Sequence, residues 1–211
     1  IARDFSLKTG EIVNTAYRIP YRIEDGKTLF DIIESALDIT LQQTGKRYVL
    51  YDDFGKLTLQ STETMTVPIW IDETAGEGLS FSSSIDRETY NKIKFLHEDG
   101  RKGVRNIYQK EDRTTQKKWG ILQHFSHISG EVNGSQEASS TLRLSNKKAR
   151  TLSLSKVCGD VHVRAGSTLS VKLIFGQEKV EQKMTVASVR HLFSAEEHRM
   201  DLTLEGGSFD G

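Results

Sequence analysis

Between residues 24 and 60 the spacing of apolar positions changes once. Leu29, Ile32, Ile33, Ala36, Leu37, Thr40 and Leu41 recur at the three- and four-residue intervals of one helix face. Thr28 stands where an N-cap belongs, and Asp31 three residues on favours the positive end of the helix. Thr44-Gly45 supplies the stop, since Gly45 can take the left-handed conformation after the last turn. The period then falls to two. Residues 48–52 and 56–60 read as short strands joined through Asp53-Phe54-Gly55. The spacing predicts a helix that packs through Leu29, Ile33, Leu37 and Leu41 on a hairpin.

The rest of the chain reads mainly as strands. Residues 1–22 give two short alternating pieces around Gly10 and Pro20, and 66–72 give another strand. Strands at 79–83 and 90–96 flank Ile85-Asp86-Arg87-Glu88. A charged turn at 97–104 leads into 105–109, which answers 92–96. Residues 110–118 read as a polar loop, 121–128 as a strand, and 135–148 as a helix with Ala138, Leu142 and Ala149 on one side. From 151 onward the pattern is β. Leu152 and Leu154, then Val161 and Val163, alternate around Gly159-Asp160; Leu169, Val171 and Leu173 follow. Turns at 165–167, 177–179 and 195–197 separate these from strands at 180–191 and 198–204. Antiparallel strands at this spacing point to a small barrel or a sandwich. The early helix and hairpin stand outside that pattern, which makes the fold class α+β with two interleaved domains.

Four blocks carry a resemblance to a known family. They are the helix–hairpin stretch 24–60, FSSSIDRETYNKIKF at 81–95, Trp119-Gly120-Ile121-Leu122-Gln123, and 159–204 with GDVHVRAGSTLSVKL and VASVRHLFSAEEHRMDLTL. In this order they resemble the XkdQ/YqbQ family of phage tail proteins, baseplate hub proteins of contractile tails of the defective-prophage type. The resemblance implies a tube-like antiparallel β-barrel with an interleaved α/β lobe. Residues 1–73 and 120–150 would form the lobe, and 74–119 and 151–211 the barrel. It also implies a fragment of a longer hub protein, because the family has an earlier barrel domain and this chain opens without Met.

By the same resemblance the protein is a non-enzymatic virion structural protein. It would assemble with itself, as a trimer in full-length form, into a ring that adapts the tail tube above to the spike below. The barrel would carry the ring contacts and the lobe would face outward. Nucleic acid would at most pass through the axial channel. The place of action would be the tail of a virion or prophage-derived particle, assembled in the host cytoplasm. The hub of type VI secretion spikes is a related case. The rival classes are a tail-associated cell-wall hydrolase and a carbohydrate-binding module.

Composition narrows the choice. Lys+Arg and Asp+Glu both number 29, so no global field draws the chain to nucleic acid or anionic lipid. No apolar run approaches the ~20 residues of a membrane helix. Cys158 is the single cysteine, which excludes an intrachain disulfide. It follows Val157 in an apolar strand and is expected as a buried, inert thiol.

The candidate chemistry is sparse, and the expectation is no catalytic residue, no cofactor and no metal. Asp53-Phe54-Gly55 spells a kinase tripeptide without its structural context and reads as a hairpin turn. His124 and His127, three apart on a strand, face opposite ways. His191 and His198 flank Ala195-Glu196-Glu197 and could face each other across a hairpin, the one metal-like cluster. Asp31, Glu34 and Asp38 form an exposed acidic helix face. Ser82, Ser83 and Ser84 lack a nucleophile elbow. The basic run 110–118 has only Tyr108 and Trp119 at its margins for base stacking. A hydrolase would need Cys158 with His162, four apart and without an orienting third residue. A carbohydrate-binding platform would rest on Trp70 and Trp119.

Overall fold

The computed structural model describes residues 1–99, 104–128, 133–175 and 178–206. In chain order the elements are β1 (Thr9–Ile12), α1 (Leu29–Thr44), β2 (Tyr48–Asp52), β3 (Leu57–Ser61), β4 (Thr66–Ile71), β5 (Glu77–Ser84), β6 (Lys92–Asp99), β7 (Val104–Glu111), α2 (Arg113–Trp119), β8 (Gln123–Ile128), α3 (Gly134–Ser145), β9 (Ala149–Cys158), β10 (Thr168–Phe175), β11 (Glu178–Phe193) and β12 (His198–Gly206). They divide into two compact units. One takes residues 1–41, 46–82 and 150–206; the other takes 42–45 and 83–149. The division expected from the sequence runs elsewhere: 83–119 groups with 120–149 because β6 pairs with both β7 and β8. Residues 100–103 of the turn expected at 97–104, the first residue of the one at 177–179, and 207–211 lie outside the described residues, while 97–99 and 104 belong to β6 and β7.

In the first unit the predicted helix and hairpin form as read. Asp31 N–H donates to Thr28 Oγ1 at 3.2 Å, and the Thr28 N–H and hydroxyl donate to the Asp31 carboxylate at 3.1 and 2.7 Å. This reciprocal cap satisfies donors that the first helical turn leaves free. Gly45 follows α1 with φ +75°. Phe54 and Gly55 both have positive φ, and Asp53 and Lys56 exchange two backbone hydrogen bonds at 2.8 and 3.1 Å. That two-residue turn matches the twist of the strands it joins. β1 lies parallel to β3, giving the order β1-β3-β2 with β2 at an edge.

The packing of α1 is looser than expected. Thr40 is its one buried residue; Ile33, Leu37 and Leu41 are half-buried, and Leu29 is exposed.

The main sheet of this unit has the order β4-β10-β11-β12-β9-β5. Its inward positions alternate along each strand: Leu152 and Leu154, Leu169, Val171 and Leu173, Met184 and Val186, Met200, Leu202 and Leu204, with Val67 and Ile71 from β4. Among the described residues no helical residue belongs to this core. One face of a single sheet buries itself, which requires the sheet to curl. The expected antiparallel barrel differs in two ways. β4 pairs parallel with β10, and the order ends at β4 and β5 without closing among the described residues. Pro68 gives the reason for the edge position of β4, since it has no N–H to offer a second neighbour.

In β9 the inward alternation jumps from Leu154 to Val157. The register with β12 slips there, from Leu202↔Leu154 to Met200↔Val157. Lys156 has φ +55°, and its N–H donates to Asp201 Oδ1 at 3.0 Å. One extra residue in the strand reverses its parity. Val157 turns inward and Cys158 outward, so the thiol expected to be buried is exposed. Val161 and Val163, read as strand, lie in the following loop, with Val163 buried and Val161 exposed.

The second unit is a sheet of order β7-β6-β8, with β6 antiparallel to β7 and parallel to β8. α3 covers it through Ala138, buried with Ile93 and Phe95. Residues 110–118 are not a loop. β7 continues to Glu111 and α2 begins at Arg113, because the Asp112 carboxylate accepts Thr114 N–H at 2.8 Å as its cap. Lys117 and Lys118 sit in the last turn of α2, where positive charge suits the helix dipole.

Candidate functional site

The structure scatters most of the groups that could carry chemistry. His191 and His198 are the pair it brings together. His191 Nδ1 and His198 Nε2 lie 2.9 Å apart, and His191 Nε2 is 2.9 Å from the Val163 carbonyl. A carbonyl only accepts, so His191 carries its proton on Nε2 and, when neutral, accepts at Nδ1 from His198 Nε2–H. The ring centroids are 5.1 Å apart, close to the N–N separation plus the two ring radii. The nitrogens therefore point at each other along one line rather than converging on a third point, as metal ligands must. The His198 ring packs flat against Gly159 and stacks on Phe193 at 4.1 Å. Glu197 accepts from Arg199 Nε at 2.9 Å, and Glu196 is exposed in the turn. Among the described residues no group of three His, Cys, Asp or Glu could hold a metal ion.

The proposed thiol–imidazole pair does not form. Both the N–H and Nδ1 of His162 lie 2.8 Å from Asp160 Oδ1. The bond from the His162 backbone N–H, then that from its ring, hold the Asp160 carboxyl below its ordinary range. Cys158 points away from the core on β9. His124 faces inward against Tyr90 and Phe95, while His127 faces outward beside Phe125. Asp53-Phe54-Gly55 is the hairpin turn, Asp31 is absorbed by the cap of α1, and Ser84 accepts from Asp86 N–H in a turn. Trp70 is 64% exposed on β4 of the first unit, and Trp119 is half-buried at the end of α2 in the second.

Three features escaped the sequence reading. Asn91 is fully buried and ties the Tyr-Asn block to the Trp-Gly block: its Nδ2 donates to Gly120 C=O at 2.8 Å, and its Oδ1 accepts Leu122 N–H at 2.9 Å. In the second unit, a depression of about 400 Å³ is lined by Phe95, His124, Ser126, Glu137 and Thr141. Burial there pushes the Glu137 carboxyl above its ordinary value. In the first unit, a groove of about 430 Å³ runs between α1 and β2. Its lining mixes apolar side chains, Ile33, Leu37 and Leu41, with the acids Glu34 and Asp38.

Residues 1–205 match the family model described as YQBQ-like, so the chain belongs to the YQBQ-like family. It is 29% identical over 208 residues to the phage-like element PBSX protein XkdQ of Bacillus subtilis, covering 96% of this chain and 62% of that one. It is 27% identical over 208 residues to the uncharacterised protein YqbQ of the same organism, with the same coverage. The chain thus spans 62% of the length of these curated relatives. Among solved structures it is similar to the prophage MuSo2 43 kDa tail protein of Shewanella oneidensis, with TM-score 0.59 and 14% identity over 96% of this chain and 62% of that one. The tail protein of Neisseria meningitidis MC58 gives TM-score 0.55 and 16% identity over 92% of this chain and 60% of that one. At these identities the likeness is one of fold.

Proposed function

We propose that this chain is a structural, non-enzymatic part of the tail of a phage or phage-like particle, acting in the baseplate hub. The observation that carries the reading is membership of the YQBQ-like family over residues 1–205, together with the phage-like element named for the relative XkdQ. The fold likeness to prophage tail proteins supports it. So does the use of the chemistry-bearing side chains in caps, turns and cross-strand contacts. In this reading the curled six-stranded sheet is part of a tube-like barrel. Its terminal strands β4 and β5 join neighbouring subunits, three to a ring, around an axial channel between tail tube and spike. Strand edges left open in one subunit become pairs in a closed ring. The particle tail is the place of action, after assembly in the host cytoplasm, and no metal or cofactor is required. None of the described helices is long and apolar enough to cross a membrane.

Light scattering on the full-length protein, alone and with its spike partner, tests this. A trimer is expected. A protein that stays monomeric at high concentration and with the spike present overturns the hub reading. A parallel assay of peptidoglycan turnover is expected to show none, and release of wall fragments would favour the hydrolase.

A further inference from the structure

His191 and His198 are diagonal neighbours across the β11–β12 hairpin. His191 stands opposite Met200 and His198 opposite Phe193, so all four side chains share one face of the sheet. Both imidazoles are half-buried, so water and its protons reach them. In the neutral pair His198 Nε2–H donates to His191 Nδ1 at 2.9 Å, and His191 Nε2–H donates to the Val163 carbonyl at 2.9 Å. His198 Nδ1 is the one ring nitrogen left with a free lone pair. A first added proton goes there and disturbs nothing. His198 Nε2–H still donates to His191 Nδ1, and the bond becomes charge-assisted. A second proton has only His191 Nδ1 to go to, the atom that accepts the bond. Two N–H groups would then point at each other across 2.9 Å, each on a positively charged ring.

The charges nearby favour the first proton and offer the second no partner. On the loop after β9, Asp160 accepts from the His162 N–H and ring; charge on His162, and then on His198, further favours its ionised form. A carboxylate beside His198 suits a first charge on that ring. Glu197, in the turn, is taken by Arg199 of β12, and Glu196 is exposed there. Arg164 of the loop lies over the Tyr51 ring, and Arg190 precedes His191 on the opposite face of β11. Cys158, at the end of β9, points outward and brings no negative partner to His191. Among the described residues no carboxylate bonds to His191.

We propose that the His191–His198 contact is an acid-opened latch between the hairpin tip and the loop that follows β9: it holds with one added proton and opens with two. His191 keeps its bond to the Val163 carbonyl throughout, because Nε2 stays protonated. His198 is the ring that leaves, since it rests on Gly159 and on Phe193, which is 68% exposed. What loosens is the end of the β9–β12 pairing, where Gly159 N–H donates to the His198 carbonyl at 2.8 Å. The turn joining β11 to β12 is closed separately, by Ser194 N–H on the Glu197 carbonyl at 2.9 Å, and persists. The inference stands apart from the hub reading.

The test follows the whole chain by NMR from about pH 8 to about pH 4, a range that spans histidine titration. Shifts of the ring nitrogens report the protonation of His191 and His198. Amide exchange, corrected for its intrinsic pH dependence, reports the Gly159 N–H. Exchange there is expected to stay slow with one ring charged and to quicken at least about tenfold when both are, while the core amide of Leu202 stays protected. His198→Phe keeps a ring on Gly159 and Phe193 but offers no N–H, and should show no acid step at Gly159. His162→Asn leaves the pair intact and should keep the parent's step, which separates the latch from Asp160. Four results would overturn the proposal in the parent or its variants. They are quickening with the first charge, protection that survives both charges, rings that both charge only as the whole chain unfolds, and a step kept by folded His198→Phe or lost from folded His162→Asn. The first three need only the parent, so the test stands even where a variant does not fold.

Discussion

Asn91 and Leu122 hold each other through two hydrogen bonds of 2.9 Å: the Asn91 N–H donates to the Leu122 carbonyl, and the Leu122 N–H donates to Asn91 Oδ1. Asn91 Nδ2 also donates to Gly120 C=O, and none of its surface is exposed. Truncation would leave the Leu122 N–H and the Gly120 carbonyl without these partners. Asn91→Ala should destabilise the protein by about 1–3 kcal/mol per orphaned group. Urea unfolding checks this, and a variant within ~0.5 kcal/mol of the parent would show that the clamp is dispensable.

Cys158 should react readily in the folded state. The parity change at Lys156 turns its side chain to solvent. A thiol reagent is expected to label it without denaturant, and Cys158→Ser should leave stability within ~0.5 kcal/mol of the parent, as for an ordinary surface change. Labelling that requires urea would mean the strand runs without its bulge.

Gly159 leaves room for one ring. A Cβ added there would collide with the His198 ring, which is fixed on its other sides by Phe193 and His191. Gly159→Ala should lower stability by about 1–3 kcal/mol, the usual range for overpacking. Loss of the His191–His198 contact should appear in the imidazole NMR signals of both residues.

The Glu137 carboxyl has its pKa raised by burial. A raised carboxyl favours the folded state while it is protonated, and that contribution is lost as pH rises through the folded value. Glu137→Gln should therefore melt like the parent at acid pH and above it at neutral pH. A variant less stable than the parent at neutral pH would reveal a cation that the carboxylate serves.

Leu37→Ala should cost less than a core truncation. Leu37 is half-buried on the groove wall, so the loss should fall below ~2 kcal/mol, the lower end for buried leucine. A larger loss in a thermal or urea melt would show α1 closing more tightly on the hairpin.

The helix, its cap and the first hairpin were legible because each is a local matter of period and turn chemistry, complete within residues 28–61. The His191–His198 pair was legible for the same reason, since a short turn must bring its flanks together. α2 was missed although its cap, Asp112, stood in the sequence; the charged run hid it. The exposure of Cys158 could not be read, because a lysine at positive φ gives no sign in composition. The edge of β2 is equally silent. Whether a strand lies at an edge depends on which strands pair with it, and those partners are set by tertiary structure.

The parallel pairing of β4 with β10 also orders events in time. Thr66 meets Thr168, about a hundred residues later in the chain, and long loops of this kind close slowly. The intervening residues 83–149 hold a complete sheet and its covering helix, and so can fold while β10 is still being made. β4 emerges early and waits, with Val67 and Ile71 uncovered until β10 arrives. During synthesis that strand, like β5, which pairs with the later β9, stands open to mispairing with other chains.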